Sequence, residues 1–398
     1  MHRRALRVWL FSCCAIAVTA GCTGLPDRNP LPESLSDKAE IPGITGARSW
    51  GDEDFPIAAN FFEMSKEELQ ARFPADFGQP HNYLAISGGG PQGAFGAGLL
   101  NGWTDSGTRP EFTYVTGVST GALMAPFAFL GPEYDYVLRE VYTTYSTKDI
   151  LELRSGPAAL LGDAAADTEP LRQSIAKHMG QNVMEAIAAE YAKGRFLDII
   201  TTNLDAGRPV VWDIGRIAAS GTPEALQLIR DVMLASAAIP AAFPPVMMKV
   251  VADGDFYDEM HVDGGATTMV YMGALSTNYR GVSERLEAKG NPNVFVIRNG
   301  WLTARWTTVE RQTLSIAART MESLFNSLSY GDIYRIFLET LRDDFNFHLA
   351  YIPEGFNMES KEFFDPEYMT ALFNVGYEMA RDGYEWQTSP PGYEEGTR

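Results

Sequence analysis

The sequence predicts an α/β fold built on a mainly parallel sheet. Short apolar runs alternate with longer amphipathic stretches, glycine-rich turns stand between strand-like and helix-like segments, and no internal repeat or long low-complexity tract interrupts the body. The 398 residues suit one large domain or two modest ones, and 45% hydrophobic against 21% charged residues provide an ordinary core, which excludes disordered, collagen-like and coiled-coil chains. Strands are predicted at 83–87, 112–115, 197–201, 210–212, 260–262 and 294–298, where β-branched or aromatic runs end in turn residues. Helices are predicted after Gly93, Gly121 and Pro223, and over 307–327 and 365–381, the last started by Asp365 as cap and Pro366 in the first turn.

The N-terminus has a different grammar. Arg3, Arg4 and Arg7 precede an apolar run over 8–18, and Thr19, Ala20 and Gly21 lead into Cys22. That is the charged, apolar, small-residue order of an export signal. Eleven helical residues rise about 16 Å, short of the roughly 30 Å hydrocarbon core, so the run reads as a signal peptide and not a span. Its Thr-Ala-Gly-Cys end resembles the lipobox of bacterial lipoproteins, which implies cleavage before Cys22 and lipidation there; a plain secretory signal with Cys22 incidental is the alternative. The only cysteines are Cys13, Cys14 and Cys22, so signal removal leaves one, and no intramolecular disulfide can form. Pro26, Pro30, Pro32 and Pro42 stand among Asp, Ser and Gly with little periodicity, which reads as a flexible tether. The expected plan is signal peptide 1–21, lipidated Cys22 and tether 22–48, and one domain over 49–398.

Charge narrows the partners. With 32 basic and 51 acidic side chains the net charge is −19, which argues against nucleic acid and against a polybasic grip on anionic lipid, and leaves Cys22 as the route to a membrane. By the rule that holds for lipoproteins of that kind, Thr23 rather than Asp after Cys22 implies retention in the bacterial envelope at the outer membrane, facing the periplasm.

Three segments carry chemistry. Gly88, Gly89, Gly90 and Gly93 follow a predicted strand and open a helix, where backbone N–H groups without Cβ crowding can converge on an anion. They also satisfy G-x-G-x-x-G, but the next strand runs into Thr116-Gly117 and lacks the acid of a dinucleotide site. Gly117-Val118-Ser119-Thr120-Gly121 is a G-x-S-x-G pentapeptide between strand and helix, a nucleophile elbow, with Ser119 as a mere helix cap the alternative. Asp263, before Gly264 and Gly265, ends a strand where its carboxylate can stand beside the elbow. Besides His2 there are His81, His178, His261 and His348. None gives the loop position expected of a Ser-acid-His triad; His348 follows Asp263 only in order, and His261 reads as a hydrogen-bonded structural residue. The acids over 253–258 lack calcium-loop spacing and read as a solvated turn.

The ordered trio Gly88-Gly89-Gly90 with Gly93, then Gly117-x-Ser119-x-Gly121, then Asp263-Gly264-Gly265 resembles the patatin-like phospholipase family, as does the stretch from Ala235 to Pro240 with Phe243-Pro244-Pro245. The resemblance implies a three-layer α/β/α fold with a motif core over 83–265, a helical C-terminal extension over 266–384 and a polar tail over 385–398. It implies Ser119 as nucleophile and Asp263 as its base, with Gly88, Gly89, Gly90 and Gly93 forming the oxyanion hole, and it implies no metal and no cofactor. The substrate is then a phospholipid or another long-chain acyl ester. Many relatives carry a basic residue where this chain has Gln92, so a tethered lipid-binding or scaffold protein with little turnover is the alternative function. A Ser-Asp pair works as a base only if burial raises the Asp263 carboxyl above its ordinary range. Of the later aromatics, Trp301, Trp306, Phe325, Tyr330, Phe337, Phe345 and Phe347 read as core and sheet cover in preference to an acyl groove.

Overall fold

The computed structural model describes residues 27–54, 58–154 and 162–393. Among them nine strands form one sheet: β1 (Arg48–Trp50), β2 (Asn82–Ile86), β3 (Tyr114–Val118), β4 (Phe196–Asn203), β5 (Arg208–Asp213), β6 (Val246–Ala252), β7 (Asp255–Asp263), β8 (Asn293–Arg298) and β9 (Asn346–Tyr351). Five of them, in the order β4-β3-β2-β8-β9, are parallel. β5 and then β1 continue the sheet antiparallel beyond β4, and the β6–β7 hairpin joins through β7, antiparallel to the end of β4. All six predicted strands are present; β1, β6 and β9 were not predicted, and β7 begins five residues earlier than expected.

Both faces of the parallel strands are covered, as crossover helices require. Leu84 and Ile86 of β2 and Phe295 and Ile297 of β8 face one core with helices α1 (Gly93–Asp105) and α2 (Thr120–Leu130). Tyr83, Ala85, Val294 and Val296 face a second core with Ile333, Ile336 and Phe337 of α4 (Thr313–Asp343), while α3 (Ala225–Ser236) packs near the hairpin and α5 (Pro366–Arg381) lies on α1. The α1–α5 contact is backbone to backbone. A Cβ at Gly102 would stand 2.8 Å from the carbonyl carbon of Tyr377, and one at Gly376 would stand 2.9 Å from the N of Leu99. Asp365 caps α5 as the sequence predicts, accepting from the N–H groups of Glu367 and Tyr368.

Three boundaries differ from expectation. The tether expected over 22–48 is, in its described part, packed chain: Asn29 and Asp258 bond each other twice, Glu40 and Val251 exchange backbone bonds, and Ala39, Ile41, Ile44 and Ala47 are buried. Of the prolines that suggested a linker, Pro30 pairs with Asp258 of the β6–β7 hairpin, and Pro26 lies outside the described residues. The helix expected over 307–327 runs instead from Thr313 to Asp343, and the first buried residue on it among those described is Ser329; polar Ser329, Asp332, Glu339 and Thr340 on its buried face mask its period. The polar tail expected over 385–398 starts as packed chain, since Trp386 packs edge-on or tilted against Phe295 and Trp103 and Gln387 pairs with Leu349. The signal peptide 1–21, Cys22 and the end of the tail lie outside the described residues.

Candidate active site

Ser119 follows β3 directly and has φ 56° and ψ −124°, a backbone state that non-glycine residues avoid. The turn is sharp because α2 folds straight back on the sheet: a Cβ at Gly121 would press on the carbonyl of Ser87 at 2.9 Å, and one at Gly117 would meet Ala122 Cα at 2.8 Å. The Ser119 N–H is held by Ser236 Oγ at 3.0 Å, whose own hydroxyl donates to the Ile200 carbonyl at 2.6 Å. Ser119 does not cap α2 with its side chain. Its hydroxyl donates to Asp263 Oδ2 at 2.6 Å.

The sheet register explains that meeting across 144 residues. β3 pairs with β4 as far as Val118 opposite Ile200; the next residue of β4, Thr201, pairs with Asp263 of β7. Two strands thus share one edge of β4, and the nucleophile candidate and the acid stand where one ends and the other takes over. Asp263 is 2% exposed, and its Oδ1 accepts from the Gly265 N–H at 2.7 Å. Burial pushes its carboxyl up to about 7, against the hydrogen bonds from Ser119 and Gly265, which favour the ionised form. Gly264 lets the chain pass under β4; a Cβ there would lie 3.0 Å from the carbonyl carbon of Ile200.

The glycine loop divides its donors. The Gly88 N–H is spent on the Met269 carbonyl at 3.1 Å, and the Gly93 N–H bonds back to Gly90 and Pro91, so these two expected oxyanion donors are occupied. Among the described residues the N–H groups of Gly89 and Gly90 make no hydrogen bond, and Gly90, at φ 56°, lines the cleft beside Ser119. Thr120, at the first position of α2, also borders the cleft, and its N–H belongs to the first helical turn, where donors lack intrahelical partners. The elbow motif was the available signal for Thr120, since the residue after such a serine supplies an N–H. Gln92 stands beside Tyr368, whose hydroxyl burial pushes up to about 12.

Ser119 opens on an apolar cleft lined by Leu123, Ile239, Phe243, Phe364 and Met369, with Tyr142 and Tyr145 among its few polar-tipped members. Ile239 and Phe243 come from the 235–245 stretch singled out in the sequence. Phe364 and Met369 were missed, because nothing local distinguishes them from core. None of the seven later aromatics lines the cleft; Phe337, Phe345 and Phe347 are core, and Trp306 is 94% exposed. The histidines are elsewhere engaged. His261 is fully buried between Thr201 Oγ1 at 2.8 Å and Glu259 Oε2 at 3.2 Å, and His348 stacks on Phe295.

The family model described as Patatin-like phospholipase matches residues 84–275. Among solved structures, VipD from Legionella pneumophila matches over 76% of this chain and 66% of its own, at 12% identity and a TM-score of 0.36, so the alignment leaves a third of VipD uncovered and is too distant to bear on function. No curated protein matches the sequence. The matched segment runs from β2 past Asp263 and takes in the glycine loop, the elbow, the 235–245 stretch and the strand end that carries the acid. This chain carries a patatin-like phospholipase domain.

Proposed function

We propose that this chain is a lipid acyl hydrolase that cleaves carboxylic ester bonds of phospholipids or other long-chain esters through a Ser119–Asp263 dyad and an acyl-enzyme. The observation that carries the reading is the 2.6 Å hydrogen bond from a strained serine to a buried carboxylate at the floor of an apolar cleft. Ser119 Oγ attacks the ester carbonyl carbon, its proton passes to Asp263 Oδ2, and the carbonyl π pair moves to oxygen, which the N–H groups of Gly89, Gly90 and Thr120 can receive. Collapse expels the alcohol, which takes the proton back from Asp263. Water oxygen then bonds the acyl carbon as its proton passes to the same carboxylate, and collapse breaks the bond to Ser119 Oγ, which recovers the proton from Asp263 as the carboxylic acid leaves. A carboxyl held near 7 suits this relay, because at neutral pH it is available in both protonation states.

The reading is tested by treating the folded chain with a fluorophosphonate and mapping the adduct. Labelling at Ser119, abolished in Ser119→Ala, supports an activated nucleophile. No adduct on a folded chain overturns the reading in favour of a binding protein that keeps the cleft without turnover. The same proposal includes export by residues 1–21 and lipidation of Cys22 at the cell envelope. An intact mass carrying diacylglycerol on Cys22 is the expected result, and a mature chain with a free thiol there would remove the anchor.

A further inference from the structure

Arg298, the last residue of β8, is buried beneath the glycine loop with 3% of its surface exposed. Its bonds go to neutral oxygens: Nη1 donates to the Gly88 carbonyl at 3.0 Å and toward Ser87 Oγ at 3.5 Å, and Nη2 donates to Asn326 Oδ1 at 2.9 Å. The acid whose charge it feels, Asp332, spends Oδ2 on the N–H groups of Met269 and Val270 and the hydroxyl of Thr268, and its Oδ1 lies toward Arg335. A guanidinium taken out of water without a paired carboxylate is costly to the fold. Burial lowers its pKa only to about 10, so the charge persists at neutral pH.

The place of that charge is informative. Gly88 O and the Gly89 N–H belong to one planar trans peptide and point in opposite directions. The cation thus grips the carbonyl end of a dipole whose N–H end is one of the loop's two free donors. Gly88 itself abuts the elbow, since a Cβ there would stand 3.0 Å from Ser119 Cβ, and its N–H is fixed by Met269. The neighbouring Asn299 anchors both ends of the loop: its N–H donates to Ser87 Oγ at 2.8 Å, its amide donates to Ser87 O at 2.9 Å, and its Oδ1 accepts from the Gly96 N–H at 3.1 Å. The loop over 87–93 has no charged residue of its own.

We infer that Arg298 is a positioning residue of the acyl-transfer step, polarising the Gly88–Gly89 peptide so that its N–H binds the tetrahedral oxyanion more strongly. The inference rests on the hydrolase reading above. Arg298 exchanges no proton and touches no substrate; it acts because a hydrogen bond to one end of an amide strengthens the bond made by the other, most of all where the first partner is charged. Its contribution should appear in kcat and not in KM, since charge on the carbonyl oxygen develops only in the transition state.

The test compares wild type, Arg298→Gln, Arg298→Lys and Asn326→Asp in hydrolysis of a soluble short-chain ester and in fluorophosphonate labelling. Arg298→Gln is expected to lower kcat about tenfold with KM little changed, and Arg298→Lys to restore most of it, the loss being smaller than the roughly 10²–10³ for deleting a whole donor. Asn326 is exposed, so Asn326→Asp can place a carboxylate on Nη2 and cancel part of the field without emptying a buried site; it is expected to lower kcat in the same sense. A trifluoromethyl ketone adds a further readout. Ser119 Oγ bonds its carbonyl carbon as the hydroxyl proton passes to Asp263 Oδ2 and the π pair goes to oxygen, and the pKa of the resulting hemiketal, followed by ¹³C resonance, should rise in Arg298→Gln and Asn326→Asp and return toward wild type in Arg298→Lys. Labelled wild type with folded Arg298→Gln and Asn326→Asp unchanged in kcat and hemiketal pKa overturns the role of Arg298 alone; if Arg298→Gln does not fold, Asn326→Asp decides. A wild type that takes no label removes this inference together with the hydrolase reading.

Discussion

Asp263→Asn separates the chemical role of the buried carboxyl from its effect on the fold. Moving this group from its ordinary 3.8 up to about 7 means that the ionised acid weakens the folded state by about 4 kcal/mol at pH 8. The sign follows from the direction. The folded chain binds the proton more tightly than the unfolded chain, so stability falls as pH rises from about 4 to about 7 and then levels off. Asparagine keeps the shape, can accept from Ser119 or from the Gly265 N–H, and carries no charge. The variant should therefore exceed wild type in urea unfolding by about 4 kcal/mol at pH 8 and by about 2 kcal/mol at pH 5, the two converging near pH 4. In the same samples ester hydrolysis at pH 8 should fall by about 10²–10⁴, the usual worth of a general base, because among the described residues no histidine lines the cleft beside Ser119. A stability gap independent of pH would refute burial as the source of the raised carboxyl. Retained turnover would refute Asp263 as the base.

Three further outcomes follow from the same geometry. The pH dependence of kcat/KM on a soluble ester should rise with a midpoint near 7 as Asp263 ionises; a midpoint near 4 would mean that the carboxyl is not held up by its surroundings. Of two variants that both lack the hydroxyl, Ser119→Gly should melt above Ser119→Ala, by about 1–3 kcal/mol at pH 5, because only glycine relieves the positive φ at the elbow; equal melting points would show that the turn is unstrained. Arg48→Met should cost about 3–5 kcal/mol in urea unfolding, since it leaves Glu259, which is 1% exposed and 2.7 Å from the lost guanidinium, facing only His261, whose protonation burial opposes; Arg48→Met with Glu259→Met should cost less than the single change, and the reverse order would show that the pair is not the issue.

Which parts of this were legible beforehand follows from how local each signal is. Strands β2 and β8 were visible because residues buried on both faces of a parallel sheet are near-continuously apolar, and β3, β4 and β5 because each holds a shorter apolar stretch, Tyr114-Val115, Ile199-Ile200 and Val210-Val211-Trp212. β9 was not, because Asn346-Phe347-His348 mixes polar groups into an outer strand. The packed segment from Asn29 to Ala47 was read as tether because its bonds are made to residues some 200 positions away, and prolines in an edge-lying segment look the same in sequence as prolines in a linker. The cleft walls Phe364 and Met369 and the cation at Arg298 were silent for the same reason, each being an unremarked residue until α5 and β8 bring it to the carboxyl edge.

Local chemistry is written in the chain order alone: the glycines at 117 and 121 that let a strand turn back on itself, the serine between them, and an aspartate closing a strand before two glycines. Those requirements are steric and are met within five residues, so they are written as motifs. The meeting of Ser119 and Asp263 comes from the folded sheet, because their contact depends on β3 and β7 sharing one edge of β4, a register set by strand pairing and not by spacing along the chain. The same fold sets which loop N–H groups are free and makes Asp263 dry enough to hold its proton near neutral pH, since hydrogen-bond occupancy and burial are properties of what the whole fold places around a group.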